Sequence, residues 1–508
     1  MDKPEIKRIN ESSAFGVLRS DNAQTTDCTC EVSLPDYYPE IRRVVSVKAE
    51  ALPDSKYLSE GMLEYGGTVS FTVLYIGDDN SLCCVPYSCE YSDSSAVTDS
   101  CNGGRGIFIS SIAESAQCRV TAPRRLSLKT RIRSEIICFG KEEYTCTATG
   151  ENGEKPDESR LERLYQSYET VTVQTAAATV NAKGSIPIPT GAKPIMCCGK
   201  VNVFSATAEV DEVRVKGEVE AVCIVYTDSG VYTSVSTTLP FEEAVPAEGS
   251  LPGDIASAKG SAASVSVTAE SDGGSADVEV DLDVALFRPS CVKVTEDMYC
   301  TEGDTVLSRD STETVCLCAC KTSSMTITGE AVRSKEQQSE DYIIYADATA
   351  HFDRIETNDK KLTITGSVTA TAYIASHGEI LCESGTFPIK HELDSQKEAT
   401  ANELLWSCDV CCMNVTAKDQ GNKVSFSAEL PIRANVLKKY TLDPVKSATV
   451  TVCEENEEEY CTLRVCRPPQ GTKLWELAKK HKVSLSELRR INGIPDEETT
   501  CHTPIIIR

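Results

Sequence analysis

Cysteine, histidine and paired carboxylates are the residues of this 508-residue chain whose types could hold a metal or attack a substrate. Their spacing argues against both. Of 25 cysteines, Cys408-x-x-Cys411-Cys412 comes nearest to a metal pair. It lacks a second C-x-x-C at zinc-ribbon spacing and a nearby histidine, so packing is the better expectation. Cys316, Cys318 and Cys320 alternate as small apolar residues on one strand face would. The five histidines (His351, His377, His391, His481 and His502) form no pair at ligand or triad spacing. Asp277, Glu279, Asp281 and Asp283 alternate with apolar residues and read as a solvated sheet face rather than a cation site. Gly103-Gly-Arg-Gly106 reads as a loop rather than an anion nest. No phosphate-binding loop, dinucleotide fingerprint, H-E-x-x-H or nucleophile elbow occurs. The expectation is a binding protein with no catalytic residues, metal or cofactor.

Binding chemistry concentrates near the C-terminus, at Trp475. Lys473, Lys479, Arg489 and Arg490 would surround it with positive charge that suits an acidic protein partner. Trp475 either packs a helix against a sheet or stands half-exposed at a lip, and Trp is enriched at interface hot spots. The four cations alone would equally fit an ordinary solvated helix face.

The elements that must position these groups follow from periodicity. Leu463 and Val465 alternate into a turn at Pro468–Gly471. Leu474, Leu477 and Ala478 share a helical stripe that ends at Val483. Ser484 and Glu487 have the spacing of a capping box opening a second helix, with Leu485, Leu488 and Ile491 inward. Asn492-Gly493 stops it, and Ile505–Ile507 can return as a strand. The result is a strand–helix–helix–strand module of about fifty residues, near the lower size limit for a self-supporting core.

This module resembles a LysM domain, through Val465, Gly471, Leu474, Trp475, Leu477, Ala478, Val483, Ser484, Leu488, Asn492, Ile494, Ile505 and Ile507. The resemblance implies a binding site in two loops, Gly471-Thr472-Lys473-Leu474 and Asn492-Gly493-Ile494, where LysM domains touch N-acetylglucosamine chains. The usual Gly-Asp-Thr before Leu-Trp is here Gly471-Thr472-Lys473. The glycine usual in the last loop is replaced at His502-Thr503, and the closing proline is Arg508. Loss of an acidic acceptor and gain of a lysine move the expected ligand from a glycan toward a protein.

The body preceding the module carries a net charge of −30 against +4 for residues 460–508. Such an acidic body disfavours nonspecific nucleic-acid binding. No apolar run approaches the length of a membrane span, and the N-terminus lacks the apolar core of a signal peptide. A reducing cytoplasm with free thiols is therefore the expectation.

Val, Thr, Ser and Ala in short alternating runs indicate β structure, repeated three times. Gly67-Thr-Val69, Gly217-Glu-Val219 and Gly366-Ser-Val368 recur at spacings of 150 and 149 residues. Each glycine stands in the apolar register, where it permits a bulge or close backbone approach. Each of these strands runs to a tyrosine (Tyr75, Tyr226, Tyr373), then a turn, then a second strand. Late return strands follow, such as Val278, Val280, Leu282, Val284 and Leu286. One apolar and one polar face per strand fits antiparallel sandwiches. The expected fold is mainly β: three tandem sandwich-like domains of about 150 residues and a small βααβ module. The expected segments are an N-terminal lead 1–24, domains at 25–150, 161–290 and 291–452, a Glu-rich hinge at 453–459, and the module at 460–508.

The Gly-x-Val strands, the lead-in Leu34-Pro-Asp-Tyr-Tyr-Pro-Glu-Ile41 and Thr295-Glu-Asp-Met-Tyr299 resemble the SPOCS domain. SPOCS repeats closed by one LysM domain are similar to the SipL-like family of spore-coat morphogenetic proteins, to which SpoVID-like proteins are more loosely related. That resemblance implies a non-catalytic scaffold in the mother-cell cytoplasm, recruited to the forespore surface. Its LysM module would grip the ATPase of the coat basement layer. The competing reading is a peptidoglycan-binding LysM protein of the cell or spore wall.

Overall fold

The computed structural model describes every residue except 1–10, 13, 60, 98–105, 272, 336–338, 359, 377–378, 453–463, 502–503 and 508. The expected hinge 453–459, most of the Gly103–Gly106 run and the His502-Thr503 loop lie outside the described residues. The chain is mainly β. A first repeat holds β1 (Glu11–Ser12), β2 (Ala14–Ser33), β3 (Ile41–Ser59), β4 (Met62–Gly77), β5 (Leu82–Ala96), β6 (Gly106–Ala122) and β7 (Arg125–Glu143), followed by the short β8 (Thr147–Gly150). A second holds β9 (Leu161–Ile186), β10 (Lys193–Ala208), β11 (Glu212–Tyr226), β12 (Tyr232–Pro246), β13 (Ile255–Glu270) and β14 (Gly273–Cys300), followed by β15 (Gly303–Arg309). A third holds β16 (Thr312–Val332), β17 (Tyr342–Asn358), β18 (Lys361–Ser376), β19 (Glu379–Asp394), β20 (Leu404–Val410), β21 (Met413–Asp419) and β22 (Lys423–Leu442), followed by β23 (Val445–Val452). The C-terminal module holds β24 (Arg464–Cys466), α1 (Leu474–His481), α2 (Leu485–Asn492) and β25 (Ile505–Ile507).

The three repeats share one antiparallel topology. The opening strand pairs with the last, and the last pairs with the one before it: β2-β7-β6, β9-β14-β13, and β16-β22 with β20 and β21. The three intervening strands form a separate meander: β3-β4-β5, β10-β11-β12 and β17-β18-β19. Alternation turns the apolar faces of the two sheets toward each other. In the second repeat Val213, Val215, Val219, Ala221 and Val225 face Val278, Val280, Leu282, Val284 and Leu286, all buried.

The Gly-x-Val glycines mark one backbone event repeated three times. Opposite Gly67, Gly217 and Gly366, the neighbouring strand takes an extra residue, with register shifts between Pro53 and Ser55, Val203 and Ser205, and Phe352 and Arg354. A Cβ at Gly67 or Gly366 would lie 2.1 or 2.0 Å from the carbonyl oxygen of Leu52 or His351. At Gly217 it would meet the Phe241 ring at 2.4 Å and the Asn202 oxygen at 2.7 Å. Only a residue without a side chain lets the bulged strand come that close. The tyrosines that end these strands have no common role: Tyr75 is buried and donates to the Pro39 oxygen at 3.1 Å, Tyr373 is buried between repeats, and Tyr226 is exposed.

The repeats do not stand apart as beads. The last meander strand of each packs on the first meander strand of the next, β5 on β10, β12 on β17 and β19 on β3, so the chain closes into a ring of approximate threefold symmetry. One shared core collects Leu74, Met196, Ile224, Ile344, Tyr345 and Tyr373 from the three meanders. A second joins Leu18, Phe139, Val173, Phe287, Leu317 and Leu437 from the three opening-and-closing sheets. The pairing of Thr314 with Val17 links the first and third repeats into one seven-stranded sheet.

Between the repeats sits a buried ion cluster. Asp347 of β17 accepts from Lys48 of β3 and forms an ion pair with Lys200 of β10 at 2.6 Å. Burial alone would raise the Asp347 carboxyl, but the two ammonium groups outweigh it and hold it well below the usual carboxylate range. Tyr345 and Tyr373 stack beside it with ring centroids 6.0 Å apart.

Two expectations need correction. Position 290 falls inside β14 and position 24 inside β2, so neither bound lies between elements. Cys320 does not share the face of Cys316 and Cys318, because the pairing of β16 with β22 shifts between Leu317 and Ala319. Cys318 enters the third sandwich core, whereas Cys320 packs at the junction between repeats. Asp277, Glu279, Asp281 and Asp283 stand on the outer face of β14, half-buried or exposed, as expected.

Candidate functional site on the C-terminal module

The module folds around Leu474, Trp475, Leu477, Ala478, Leu488, Cys501, Ile505 and Ile507, all buried. β24 and β25 pair antiparallel, Arg464 to Ile507. α1 ends at His481, because Lys482 turns left-handed at φ 52°. Gly493 ends α2 in the same conformation at φ 63°. The expected capping box at the start of α2 does not form. The Ser484 hydroxyl meets the Ser486 hydroxyl at 2.8 Å and caps no backbone group.

The expected partner-binding residues separate into three groups. Leu474 and Ile494 are core residues, with the Ile494 amide donating to the Arg489 oxygen at 3.0 Å. Asn492 is a staple: its amide donates to the Leu488 and Ile506 oxygens, each at 2.8 Å, and its oxygen accepts the Ile506 amide at 2.7 Å. Arg489 is tied to Asp496 at 3.2 Å and to the Glu498 oxygen at 3.1 Å. Gly471, Lys473, Arg490 and Gly493 remain exposed, while the Thr472 hydroxyl donates to the Pro469 oxygen at 2.8 Å. A Lys473–Thr500 bridge sets the first lip loop against the chain that leads to β25.

Trp475 and Lys479 form the third group, and they face the ring rather than solvent. Trp475 is 8% exposed. Its indole Nε1 donates to Asp297 Oδ2 at 2.7 Å, and Lys479 Nζ donates to Asp297 Oδ1 at 2.6 Å. The Met298 amide gives the same carboxylate a third bond at 3.0 Å. Burial pushes the Asp297 carboxyl up, but the Lys479 and Trp475 donors outweigh it, so the carboxyl is held below its ordinary range. Tyr299 stands edge-on to Trp475 with centroids 4.9 Å apart, and its hydroxyl donates to the Val483 oxygen at 2.8 Å. Lys482 pairs with Asp304 at 2.7 Å on the far side.

The receiving surface is the end of β14. Its pairing with β9 shifts register between Thr295 and Asp297, and this bulge re-aims the strand end toward the module. Sequence reasoning noticed Thr295–Tyr299 only as a lead-in to a repeat. The signal for its real contact was weak, since Asp297 and Trp475 stand 178 positions apart. Of the two Trp475 placements open from sequence, packing prevails, but part of that packing is against another unit of the fold.

Among the described residues, no three His, Cys, Asp or Glu side chains are placed to hold a metal. No described helix is long and apolar enough to cross a membrane. No family model, curated protein or solved structure matches the chain.

Proposed function

We propose that the protein is a non-catalytic scaffold of the endospore coat, working in the mother-cell cytoplasm and recruited to the forespore surface. In this reading its LysM-like module binds the basement-layer ATPase of the coat and so attaches the coat to the forespore. The observation that carries it is the Trp475–Lys479–Lys482 face. An indole N–H, two ammonium groups and an aromatic edge converge there on protein carboxylates and a tyrosine. That is the chemistry of a protein-binding surface: a desolvated Trp anchor with charge at its rim. A glycan site would need free paired donors and acceptors at the lip. Asn492, the best such group, is wholly engaged by Leu488 and Ile506.

Calorimetry on the full chain tests the reading. Micromolar or tighter binding of the purified basement-layer ATPase is expected, weakened several-fold by Lys473→Glu in a salt-dependent way, with no heat from N-acetylglucosamine oligomers. Micromolar binding of a peptidoglycan fragment, unchanged in Lys473→Glu and without ATPase binding, would replace this reading with the wall-binding one.

A further inference from the structure

The Trp475 face is already occupied by the protein itself. Asp297 fills the space between Trp475 Nε1 and Lys479 Nζ, Tyr299 covers the indole edge and caps the Val483 oxygen, and Asp304 takes Lys482. Tyr299 is buried with the module's apolar core, and the half-buried Leu164 packs against it. The contact is chemically mixed: two charge-assisted bonds on one carboxylate, one neutral hydrogen bond, one aromatic contact and one exposed ion pair. Charge-assisted bonds give orientation and specificity, and a rim ion pair adds little. A contact of this kind holds a module in one place and can be exchanged for an equivalent contact, unlike the dry core that locks the ring.

We infer that β14 is an internal competitor for the module's ligand face, and that the partner taken by this face presents the same chemistry, a carboxylate two residues from an aromatic ring at the end of a strand. The inference rests on the reading that the module binds a protein. It adds that the closed contact at Asp297 must open first, so the partner's apparent affinity is the intrinsic one scaled by the open fraction. The acidic–aromatic element is supplied in cis by the second repeat, which makes the ring a regulator of the module as well as its support.

The test uses the full chain with Asp297→Ala and, as a variant that leaves the buried surface untouched, Asp304→Ala, whose carboxylate is exposed. Two readouts are taken together. Hydrogen exchange of the amides of α1 and of Val483 reports the contact. Titration with the purified basement-layer ATPase reports access to the face. Asp297→Ala should speed exchange at Val483 and tighten ATPase binding about tenfold, and Asp304→Ala should move both in the same direction by less. A Trp475→Ala control should lose binding in either background. Exchange unchanged in Asp297→Ala overturns the inference, and so does faster exchange with ATPase affinity unchanged from wild type. Faster exchange with no ATPase binding by any variant overturns the functional reading while the closed contact stands.

Discussion

The ring and the C-terminal module are held by different physics. Each sandwich buries an apolar face on every strand, and the three repeats share two further apolar cores, so the ring closes on surface that water cannot re-enter piecemeal. Among the described residues the module has a core of fewer than ten buried side chains, and its junction to the ring turns on one carboxylate, one tyrosine, the half-buried Leu164 and one exposed ion pair. Dry, shared cores give an all-or-none object. A polar junction gives a part that is positioned but exchangeable. A scaffold that must be rigid in one place and responsive in another would be built in this way.

Perturbations of the ring should therefore be large and global, and those of the module small and local. The largest effect is expected from Gly366→Val. Its side chain would collide with the His351 carbonyl, whose bulge cannot retreat without breaking the sheet. Destabilisation of about 4 kcal/mol or more is expected, read as loss of the cooperative denaturant transition of the whole ring. A variant with an unchanged midpoint would show that the bulge is not structural. Phe287→Ala, at the core shared by all three repeats, should cost about 3–5 kcal/mol. It should also uncouple the repeats, seen as a transition that splits by domain.

Asp347→Ala leaves Lys48 and Lys200 facing one another without a counter-charge, which should cost about 3 kcal/mol, reduced somewhat because Lys48 keeps partial solvent contact. The same carboxylate makes the ring acid-sensitive. Its folded pKa lies below the unfolded value, so its contribution is complete above the ordinary carboxylate range and is lost as pH falls toward the folded value. Wild type should lose stability steeply at low pH, and Asp347→Asn should flatten that slope.

The module responds on a smaller scale. Asn492→Ala removes three hydrogen bonds between α2 and β25 and should cost the module about 1–2 kcal/mol. The ring's transition should stay in place; a shift in it would mean that the two units unfold together. Asp297 is likewise held below its ordinary range, so the junction should persist at neutral pH and loosen as pH falls through that lowered value. Faster exchange at Val483 once the pH drops below the ordinary carboxylate range, before the ring itself yields, is the expected sign.

The smallest effect concerns thiols. Burial pushes Cys408, Cys411 and Cys412 up to about 12. Native alkylation should spare these three at neutral pH, and denaturant should release them, as mass spectrometry of modified peptides would show. Fast native labelling would mean that this corner of the third sandwich opens locally.

Much of this architecture was legible in the sequence because β structure writes itself at period two. The alternation at Val278–Leu286 named a strand buried on one face, and the recurrence of Gly-x-Val named three copies. Glycine in the apolar register pointed to a bulge, since a missing Cβ matters only where backbones crowd. The helices of the module were readable from Leu474, Leu477 and Leu488 at helical spacing, and its end from Gly493. Hydroxyl partners were not readable: Ser484 has the spacing of a cap, but the nearer Ser486 hydroxyl takes its bond.

What sequence alone determined is thus most of what neighbours along one chain segment set: strand faces away from bulges, turns, the αL cap at Gly493 and the number of repeats. Only tertiary structure decided that the repeats close into a ring, that Lys48, Lys200 and Asp347 meet in the middle, and that Trp475 turns inward to Asp297. Each of these joins residues more than 90 positions apart. Periodicity carries no information about which distant surface a strand's outer face will meet, and that pairing is fixed by the fit of whole sheets and by the need to give a buried charge its partner.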